Sequence, residues 1–150
     1  MPTKKIFIIA GEISGDQIGM LIIKKLLKEN KIQVSGVGGQ HLEQIGLKSI
    51  FPMKKISVMG LVEIIPKIPD LISLIKYTLV KIDEYKPDLV ITIDSPGFNF
   101  RVLKKLKNKN DFKTLHIVAP TVWAWKSARA KKIVSYVDNL FLLYPFEKKY

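Results

Sequence analysis

The chain of 150 residues is long enough for one domain with a substantial core, because a domain of this size buries about 70% of the surface that its unfolded chain exposes. A hydrophobic fraction of 47% excludes a disordered protein, and the absence of cysteine excludes disulfides and thiolate metal sites. The formal net charge of +12 predicts attraction to an anion, which leaves nucleic acid, phosphorylated ligands and acidic lipid surfaces open.

The sequence predicts strands and helices that alternate along the chain. The predicted strands cover residues 4–10, 32–37, 88–93, 113–118 and 139–143, and the predicted helices cover 16–29, about 40–45, about 69–84, 98–107 and 124–136. Strands separated by helices indicate βαβ units and a largely parallel sheet. Right-handed crossovers would then place the loops that follow the strands on one edge of that sheet.

Three of these loops carry polar or aromatic side chains. They are residues 11–16 after the first strand, residues 94–99 after the third, and residues 119–126 after the fourth, which include Trp123 and Trp125. In open α/β sheets, ligands bind in the crevice outside the carboxyl ends of the strands. The three loops therefore predict one ligand site on that edge.

Two carboxylates in these loops are candidates for acid–base chemistry. Glu12 and Asp94 each follow the end of a predicted strand, where partial burial would raise the pKa of a carboxyl group and allow it to accept a proton from a hydroxyl. Alternatively, Asp94 only accepts hydrogen bonds within the turn that begins at Ser95. Asp88 opens the same strand, about 20 Å from this edge, and we predict a structural role for it.

Glycine and serine positions near the predicted site have two interpretations each. Ser14 can contact a ligand, or it can cap the following helix in a capping box with Gln17. The glycines of residues 36–39 can bring backbone amides close to a ligand, or they can form a turn without one. No dinucleotide fingerprint or P-loop pattern occurs in the sequence.

A metal site is not expected. His41 and His116 are the only histidines, cysteine is absent, and His116 lies within a predicted strand, where a packed or hydrogen-bonded ring is the usual role.

The last of the three loops combines flat apolar rings with positive charge. Lys126 and Arg129 are three residues apart on a predicted helix and therefore share one face, directly after both tryptophans. Such a surface fits a sugar or acyl group that is attached to phosphate.

The segment 56–69 is strongly apolar but is interrupted by Gly60, Pro66 and Pro69. One interpretation is a membrane-surface anchor, with Lys54, Lys55 and Lys67 beside anionic head groups. The predicted membrane contacts are Val58, Met59, Leu61, Ile64 and Ile65. The alternative is packing against a partner domain.

Neither a signal peptide nor a membrane-spanning helix is predicted. The apolar run 6–10 after Lys4 and Lys5 is shorter than the about 7–15 residues of a signal peptide, and no segment approaches the roughly 18 apolar residues of a spanning helix. We therefore expect a cytoplasmic protein, unless it is held to a membrane surface. The chain stops at Tyr150, just after a predicted strand and the start of another helix, which suggests half of a larger molecule.

Six segments, taken in order, resemble the lipid-A-disaccharide synthases. They are AGEISGD (10–16), GVGG (36–39), SVMGLVE (57–63), IDSPGFN (93–99), APTVWAW (119–125) and PFE (145–147). The resemblance covers the whole chain and implies a Rossmann-like α/β fold, a parallel sheet with helices on both faces, as the N-terminal half of a GT-B glycosyltransferase. Residues 1–150 would be the acceptor-side domain, and a C-terminal UDP-sugar-binding domain would be absent from this chain.

The resemblance also implies a reaction. Such an enzyme transfers 2,3-diacylglucosamine from its UDP conjugate to 2,3-diacylglucosamine 1-phosphate with inversion, which forms the lipid A disaccharide 1-phosphate and UDP. It requires no metal and no cofactor, since the UDP-sugar is a substrate. The implied location is the cytoplasmic face of the inner membrane, with an anionic lipid surface as a partner, a C-terminal half that a second polypeptide could supply, and no nucleic acid.

Site residues are transferred onto the matching motifs. The candidate substrate-binding residues within these motifs are Gly11, Ser14, Gly15, Asp16, Gly38, Gly39, Asn99, Trp123 and Trp125. Lys126 and Arg129 are added to them for their charge and spacing and lie outside the matching segments. Some members of the family carry an acid, a favoured base candidate, where this chain has Gly97. We therefore assign the base to Asp94, with Glu12 as the second candidate, and we expect no activity from this chain alone.

Two other classes of protein explain less of the sequence. A non-catalytic basic α/β domain that binds anionic lipid or nucleic acid accounts for the charge, but the sequence lacks a recognition-helix signature or interleaved aromatic and basic residues. A phosphoacceptor signalling domain would need clustered acids after the first strand and a lysine where this chain has Ala119 and Pro120.

Overall fold

The computed structural model describes residues 2–57, 68–109, 111–118, 131–132 and 134–142. Within these ranges the strands are β1 (Lys4–Ala10), β2 (Ile32–Val37), β3 (Leu89–Ile93), β4 (Lys113–Ile117) and β5 (Asn139–Phe141). The α-helices are α1 (Ile13–Glu29), α2 (Gln40–Glu43), α3 (Ile68–Tyr85) and α4 (Pro96–Leu106), and Met53–Lys55 forms a 3₁₀ turn.

The strands form one parallel sheet in the order β2-β1-β3-β4-β5. This confirms the predicted α/β fold with a parallel sheet. The connection from β1 leads to β2 on one side, whereas β3 and the later strands lie on the other side. In such a sheet the order reverses between β1 and β3, and ligands bind at that reversal.

The central strand β1 is buried on both faces. Phe7 and Ile9 pack into one core cluster, and Ile6, Ile8 and Ala10 pack into the other. This explains why β1 is a continuous apolar run instead of an alternating one, as is typical of a strand covered on both faces.

Helices cover both faces of the sheet. The cluster around Phe7 contains side chains of α3 and α4, such as Ile82 and Val102, and the cluster around Ile8 contains Ile23 of α1 and Leu42 of α2. The helix after β1 therefore lies on one face and the helix after β3 lies on the other. No described helix is long and apolar enough to cross a membrane.

The largest difference from a predicted helix boundary lies at the start of α1, and the other described helices begin and end within two residues of their predictions. Helix α1 begins at Ile13 with Glu12 at the N-cap position, so Ser14 lies in the first turn and the capping-box interpretation of Ser14 is wrong. The Glu12 side chain makes no capping hydrogen bond and stays accessible to solvent just beyond the end of β1. The predicted helix 124–136 lies mostly outside the described residues. Within that range, residues 131, 132 and 134 are described as helical.

Asp88 has the predicted structural role at the amino edge of the sheet. Its carboxylate accepts hydrogen bonds from the Lys5 amide at 2.8 Å and from Lys4 Nζ at 3.2 Å. The hydrogen bond from the Lys5 amide, followed by that from Lys4, lowers the pKa of Asp88.

His116 is fully buried between two hydrogen-bond partners. Its Nδ1 lies 2.7 Å from Thr92 Oγ1, and its Nε2 lies 3.1 Å from the carbonyl oxygen of Val118. A neutral ring that carries its proton on Nε2 satisfies both contacts, since the threonine hydroxyl donates to Nδ1 and Nε2 donates to the carbonyl. This confirms the prediction of a hydrogen-bonded core histidine, and burial lowers the pKa of His116 to about 4.

The pKa of His116 predicts a loss of stability in mild acid. The buried ring stays neutral, whereas the unfolded chain binds a proton below about pH 6.5, so this contribution is complete above pH 6.5 and is lost as the pH falls toward 4. We expect the free energy of unfolding, measured with urea, to fall by about 2–3 kcal/mol between pH 7 and pH 4.5. The His116→Gln variant should lose much less over that interval, and an equal loss in both proteins would contradict this assignment.

Candidate active site

A cleft of about 850 Å³ opens at the carboxyl edge of the sheet, beside the reversal between β1 and β3. Its walls are the end of β1, the 3₁₀ turn, the first turns of α3, and the start of α4. The lining residues are Glu12, Lys54, Lys55, Ile56, Ser57, Asp70, Leu71, Ser73, Leu74, Ser95, Pro96, Gly97, Phe98 and Arg101. The volume lies within the range of about 300–1,000 Å³ that is usual for small-molecule sites.

Glu12 lies in this cleft and carries a perturbed pKa. Partial burial raises the pKa of Glu12, and the negative charge of Asp94 raises it further. The structure therefore brings the two predicted carboxylates close enough to interact, although they come from different strands. A carboxylate with a raised pKa is a better proton acceptor near neutral pH.

Asp94 lies in a strained turn after β3. Asp94 and Ser95 both have left-handed backbone conformations, with φ of 53° and 45°. Such conformations cost about 1–3 kcal/mol each in residues other than glycine and are frequent at functional sites. Asp94 Oδ1 accepts a hydrogen bond from the Ser95 amide at 2.9 Å, as the structural alternative for Asp94 predicts, and Asp94 does not line the cleft.

Asn99 holds this turn from inside α4. Its Nδ2 donates to the carbonyl oxygens of Asp94 at 2.7 Å and of Ile93 at 3.2 Å. Its Oδ1 and the hydroxyl of Ser95 are buried without a hydrogen-bond partner among the described residues. The described contacts of Asn99 are thus internal, and its role in binding a substrate stays a prediction.

Gly11 allows the two loops at the reversal to approach each other. A Cβ atom at Gly11 would lie 1.9 Å from Ser95 Oγ and 2.5 Å from Ser95 Cβ. The hydroxyl of Ser57 also donates a hydrogen bond to the carbonyl oxygen of Gly11. Only a residue without a side chain fits between these neighbours.

Asp16, Gly38 and Gly39 do not line the cleft, and their described hydrogen bonds are internal. The buried Asp16 carboxylate accepts hydrogen bonds from the amides of Gly39, His41 and Leu42 at 2.8–3.2 Å. The amide of Gly38 donates to Ser49 Oγ at 3.1 Å. These groups stabilise the start of α2, so the geometry favours the turn without a ligand, and substrate binding by these three residues stays a prediction.

Ser14 and Gly15, the other predicted substrate-binding residues of the segment 10–16, differ in exposure. Gly15 is buried, and a Cβ atom there would lie 3.3 Å from Ile93 Cγ2, so Gly15 permits close packing of α1 on the sheet. Ser14 is exposed in the first turn of α1.

The remaining predicted residues lie outside the described part of the chain. They are Trp123, Trp125, Lys126 and Arg129 for the substrate, and Val58, Met59, Leu61, Ile64 and Ile65 for the membrane.

Arg101 and Asp70 are charged residues of the cleft that the sequence analysis did not identify. Arg101 lies one helical turn after Gly97 and donates a hydrogen bond to the Gly97 carbonyl oxygen. This four-residue spacing from the start of α4 is the signal that could have identified it. Asp70 lies in the first turn of α3, and no sequence motif marks it. Among the described residues, no three acidic or histidine side chains cluster closely enough to hold a metal ion.

The fold and the cleft together define a Rossmann-like α/β domain with its site at the carboxyl edge of a parallel sheet. A solved structure with this fold is UDP-GlcNAc 2-epimerase from Neisseria meningitidis bound to UDP-GlcNAc, which matches with a TM-score of 0.56 over 95% of this chain and 40% of that one. Its sequence identity of 14% supports the fold alone.

The chain belongs to the lipid-A-disaccharide synthetase family, whose profile matches residues 6–150. It is 45% identical over 149 residues to the lipid-A-disaccharide synthase of Rickettsia bellii strain OSU 85-389, which covers 98% of this chain and 39% of the relative. The enzyme of the same name from Ruegeria pomeroyi is 44% identical over 97% of this chain and 37% of its own length. The chain thus spans about two fifths of these curated relatives.

The contact between Gly11 and Ser95 predicts a coupled pair of substitutions. Gly11→Ala should lower the free energy of unfolding by about 1–3 kcal/mol, because the added methyl group overlaps the Ser95 side chain. Ser95→Gly in the same protein should restore most of this loss, since it removes both overlapping atoms. Chemical unfolding of the two single variants and the double variant measures the coupling.

Gly97→Ala is the matched control for this pair. A Cβ atom at Gly97 meets only Arg101 Nη1, at 3.9 Å, so this variant should be as stable as the parent protein or slightly more stable. Additive effects of the substitutions at positions 11 and 95 would refute the proposed overlap.

Proposed function

We propose that the protein is the acceptor-side half of an inverting glycosyltransferase that makes the lipid A disaccharide. It would condense UDP-2,3-diacylglucosamine with 2,3-diacylglucosamine 1-phosphate to give lipid A disaccharide 1-phosphate and UDP. Family membership supports this proposal, and so does a cleft in which a carboxylate of raised pKa lies at the reversal of the sheet. The position of Glu12 in the cleft, beside the reversal of the sheet, is the single structural observation that carries the catalytic assignment, and the raised pKa of Glu12 agrees with it.

Glu12 is the general base in this proposal. It removes the proton from the 6-hydroxyl of the acceptor as that oxygen attacks the anomeric carbon of the donor sugar. The bond from this carbon to the UDP oxygen breaks on the opposite face, its electron pair leaves with UDP, and the configuration is inverted. No metal is needed for this proton transfer.

In this proposal Glu12 becomes the first base candidate and Asp94 the second, the opposite of the order that the sequence predicts. Glu12 lines the cleft, whereas Asp94 does not, and one Asp94 oxygen already accepts the Ser95 amide. Asp94 instead acts through its charge, which raises the pKa of Glu12. In this arrangement Asp94 is a positioning residue for the proton transfer, and Glu12 is the catalytic residue.

The remaining parts of the proposal concern the donor and the membrane. The part of the relatives beyond this chain would supply most of the contacts to UDP, so the chain alone would be inactive. Segment 58–65 would lie on the cytoplasmic face of the inner membrane. The exposed side chains of Ile68 and Ile72 at the start of α3 support such a surface, because they extend the apolar segment.

Substitution of the two carboxylates tests the catalytic assignment. The chain is co-expressed with the part of the Rickettsia bellii relative that lies beyond the match, and disaccharide formation is measured with radiolabelled acceptor. Glu12→Gln should reduce turnover at least about 100-fold, because an amide cannot accept the proton. Asp94→Asn should reduce it less and should shift the acidic limb of the pH–rate profile to lower pH, because the pKa of Glu12 falls.

Glu29→Gln is the matched control, since Glu29 is an exposed carboxylate at the other end of α1. It should leave turnover unchanged. Near-normal turnover in Glu12→Gln, together with a large loss in Asp94→Asn, would assign the base to Asp94. Binding to lipid without any disaccharide formation would favour the non-catalytic alternative.

The membrane assignment has a separate test. Met59→Asp with Leu61→Asp should release the chain from anionic phospholipid vesicles in a sedimentation assay, because charged groups do not enter the apolar part of the interface. The control is Leu21→Asp with Leu27→Asp, which places the same charges at exposed leucines of α1 and should leave vesicle binding unchanged. Equal release by both pairs would show that only net charge matters.

A further inference from the structure

The cleft contains a group of three cations that the proton-transfer chemistry does not use. Lys54 and Lys55 come from the 3₁₀ turn, and Arg101 comes from α4. The four ion pairs found between described residues involve none of these three side chains. We call Lys54, Lys55 and Arg101 the cationic cluster.

Each member of the cationic cluster stands on a well-anchored element. Phe51 and Ile56, on either side of the 3₁₀ turn, are buried in the core, and the Ser57 hydroxyl binds the Gly11 carbonyl oxygen. The two lysines between these anchors are exposed. Helix α4 buries one face, including Phe98 and Val102, and leaves Arg101 exposed on the side of the cleft.

Arg101 reaches back toward the N-terminus of α4. Its guanidinium donates to the carbonyl oxygen of Gly97 in the first turn of the helix. The N-terminal end of a helix carries partial positive charge, so this arrangement places two like charges next to each other. An anion bound there would offset the repulsion, and the planar guanidinium matches the geometry of phosphate oxygens.

The negative charges in the cleft limit what can bind there. Glu12 and Asp70 also line it, so the charged groups of the described lining comprise three cations and two carboxylates. A ligand with negative charge throughout would be repelled by the carboxylates. A ligand with one phosphate at one end and a neutral hydroxyl for Glu12 at the other fits both groups.

We propose that Lys54, Lys55 and Arg101 bind the phosphate of a sugar phosphomonoester whose hydroxyl faces Glu12. This inference rests on the proposed function and assigns the 1-phosphate of the acceptor to the cationic cluster. Leu71 and Leu74, on the α3 wall of the same cleft, provide apolar surface for acyl chains. The cationic cluster is distinct from Lys126 and Arg129, which the sequence predicts as phosphate ligands.

Binding of a short-chain 2,3-diacylglucosamine 1-phosphate to the 150-residue chain tests this proposal. Calorimetric titration at physiological salt compares it with the same molecule without phosphate and with UDP. We expect the phosphorylated sugar to bind at least about tenfold more tightly than the other two. The affinity for the phosphorylated sugar should fall about tenfold in the double variant Lys54→Gln with Lys55→Gln. It should fall about tenfold in the separate variant Arg101→Gln as well.

The matched control is Lys104→Gln with Lys105→Gln. These exposed lysines lie on α4 outside the cleft, and their loss changes the net charge by the same amount as the loss of Lys54 and Lys55. The control should bind within about twofold of the parent chain, because bulk salt screens distant charges. Thermal melts of all variants show that each one is folded.

Three results would overturn the cationic cluster as the phosphate site. In the first, the control variant weakens binding as much as the cationic-cluster variants do. In the second, the sugar without phosphate binds as tightly as the phosphorylated sugar. In the third, UDP binds as tightly as the phosphorylated sugar and depends on the same residues. If the co-expressed enzyme forms disaccharide while the cationic-cluster variants keep a normal KM for the acceptor, the phosphate site is wrong and the transferase proposal stands. Phosphate-selective binding that depends on the cluster, without disaccharide formation, would support the site and overturn the transferase proposal.

Discussion

The arrangement of the site depends on β1, which is buried on both faces and pairs with β2 on one edge and β3 on the other. The chain leaves β1 toward one face of the sheet and leaves β3 toward the opposite face. The two departing segments separate and open the cleft between them. They approach each other closely where Gly11 has no side chain and Ser95 fills the space. Glu12 and Asp94 are the neighbours of this contact, which explains why their charges interact.

The sequence predicted the sheet well because its strands are local features. Apolar runs of five to seven residues, separated by helical patterns, suffice to predict a parallel sheet and the edge that carries the site. The position of Ser14 was not predictable, because serine is a good N-cap residue and only the packing of α1 moves the helix start to Ile13. The partners of Asp16 lie 23 to 26 residues away, a distance that no local pattern encodes. Arg101 was predictable in part, since its spacing from the start of α4 is a local feature, but the side of the cleft on which it lies depends on the packing of α4.

The electrostatics of the cleft explain how a basic chain can also favour proton removal. Positive charge predominates in the molecule, and it favours the approach of anions. A base surrounded only by cations would have a low pKa and would accept protons poorly. Partial burial and the charge of Asp94 act in the opposite direction on Glu12. In the proposed reaction, the lysine and arginine side of the cleft attracts the anion, and Glu12 after the end of β1 accepts the proton.

The pairing of β1 with β3 has a consequence for how the site can be divided. The carboxylates Glu12 and Asp94 are 82 positions apart in the sequence, whereas Asp16 bonds the Gly39 amide only 23 positions away. Closing the longer loop costs only about 1 kcal/mol more chain entropy than closing the shorter one, since this cost grows with the logarithm of length. A fragment that ended before β3 would contain Glu12, Asp16 and Gly39 but not Asp94. It would lack the charge of Asp94, which adds to the effect of burial on the pKa of Glu12. The paired environment of Glu12 therefore belongs to the assembled sheet and cannot be transplanted as a single motif.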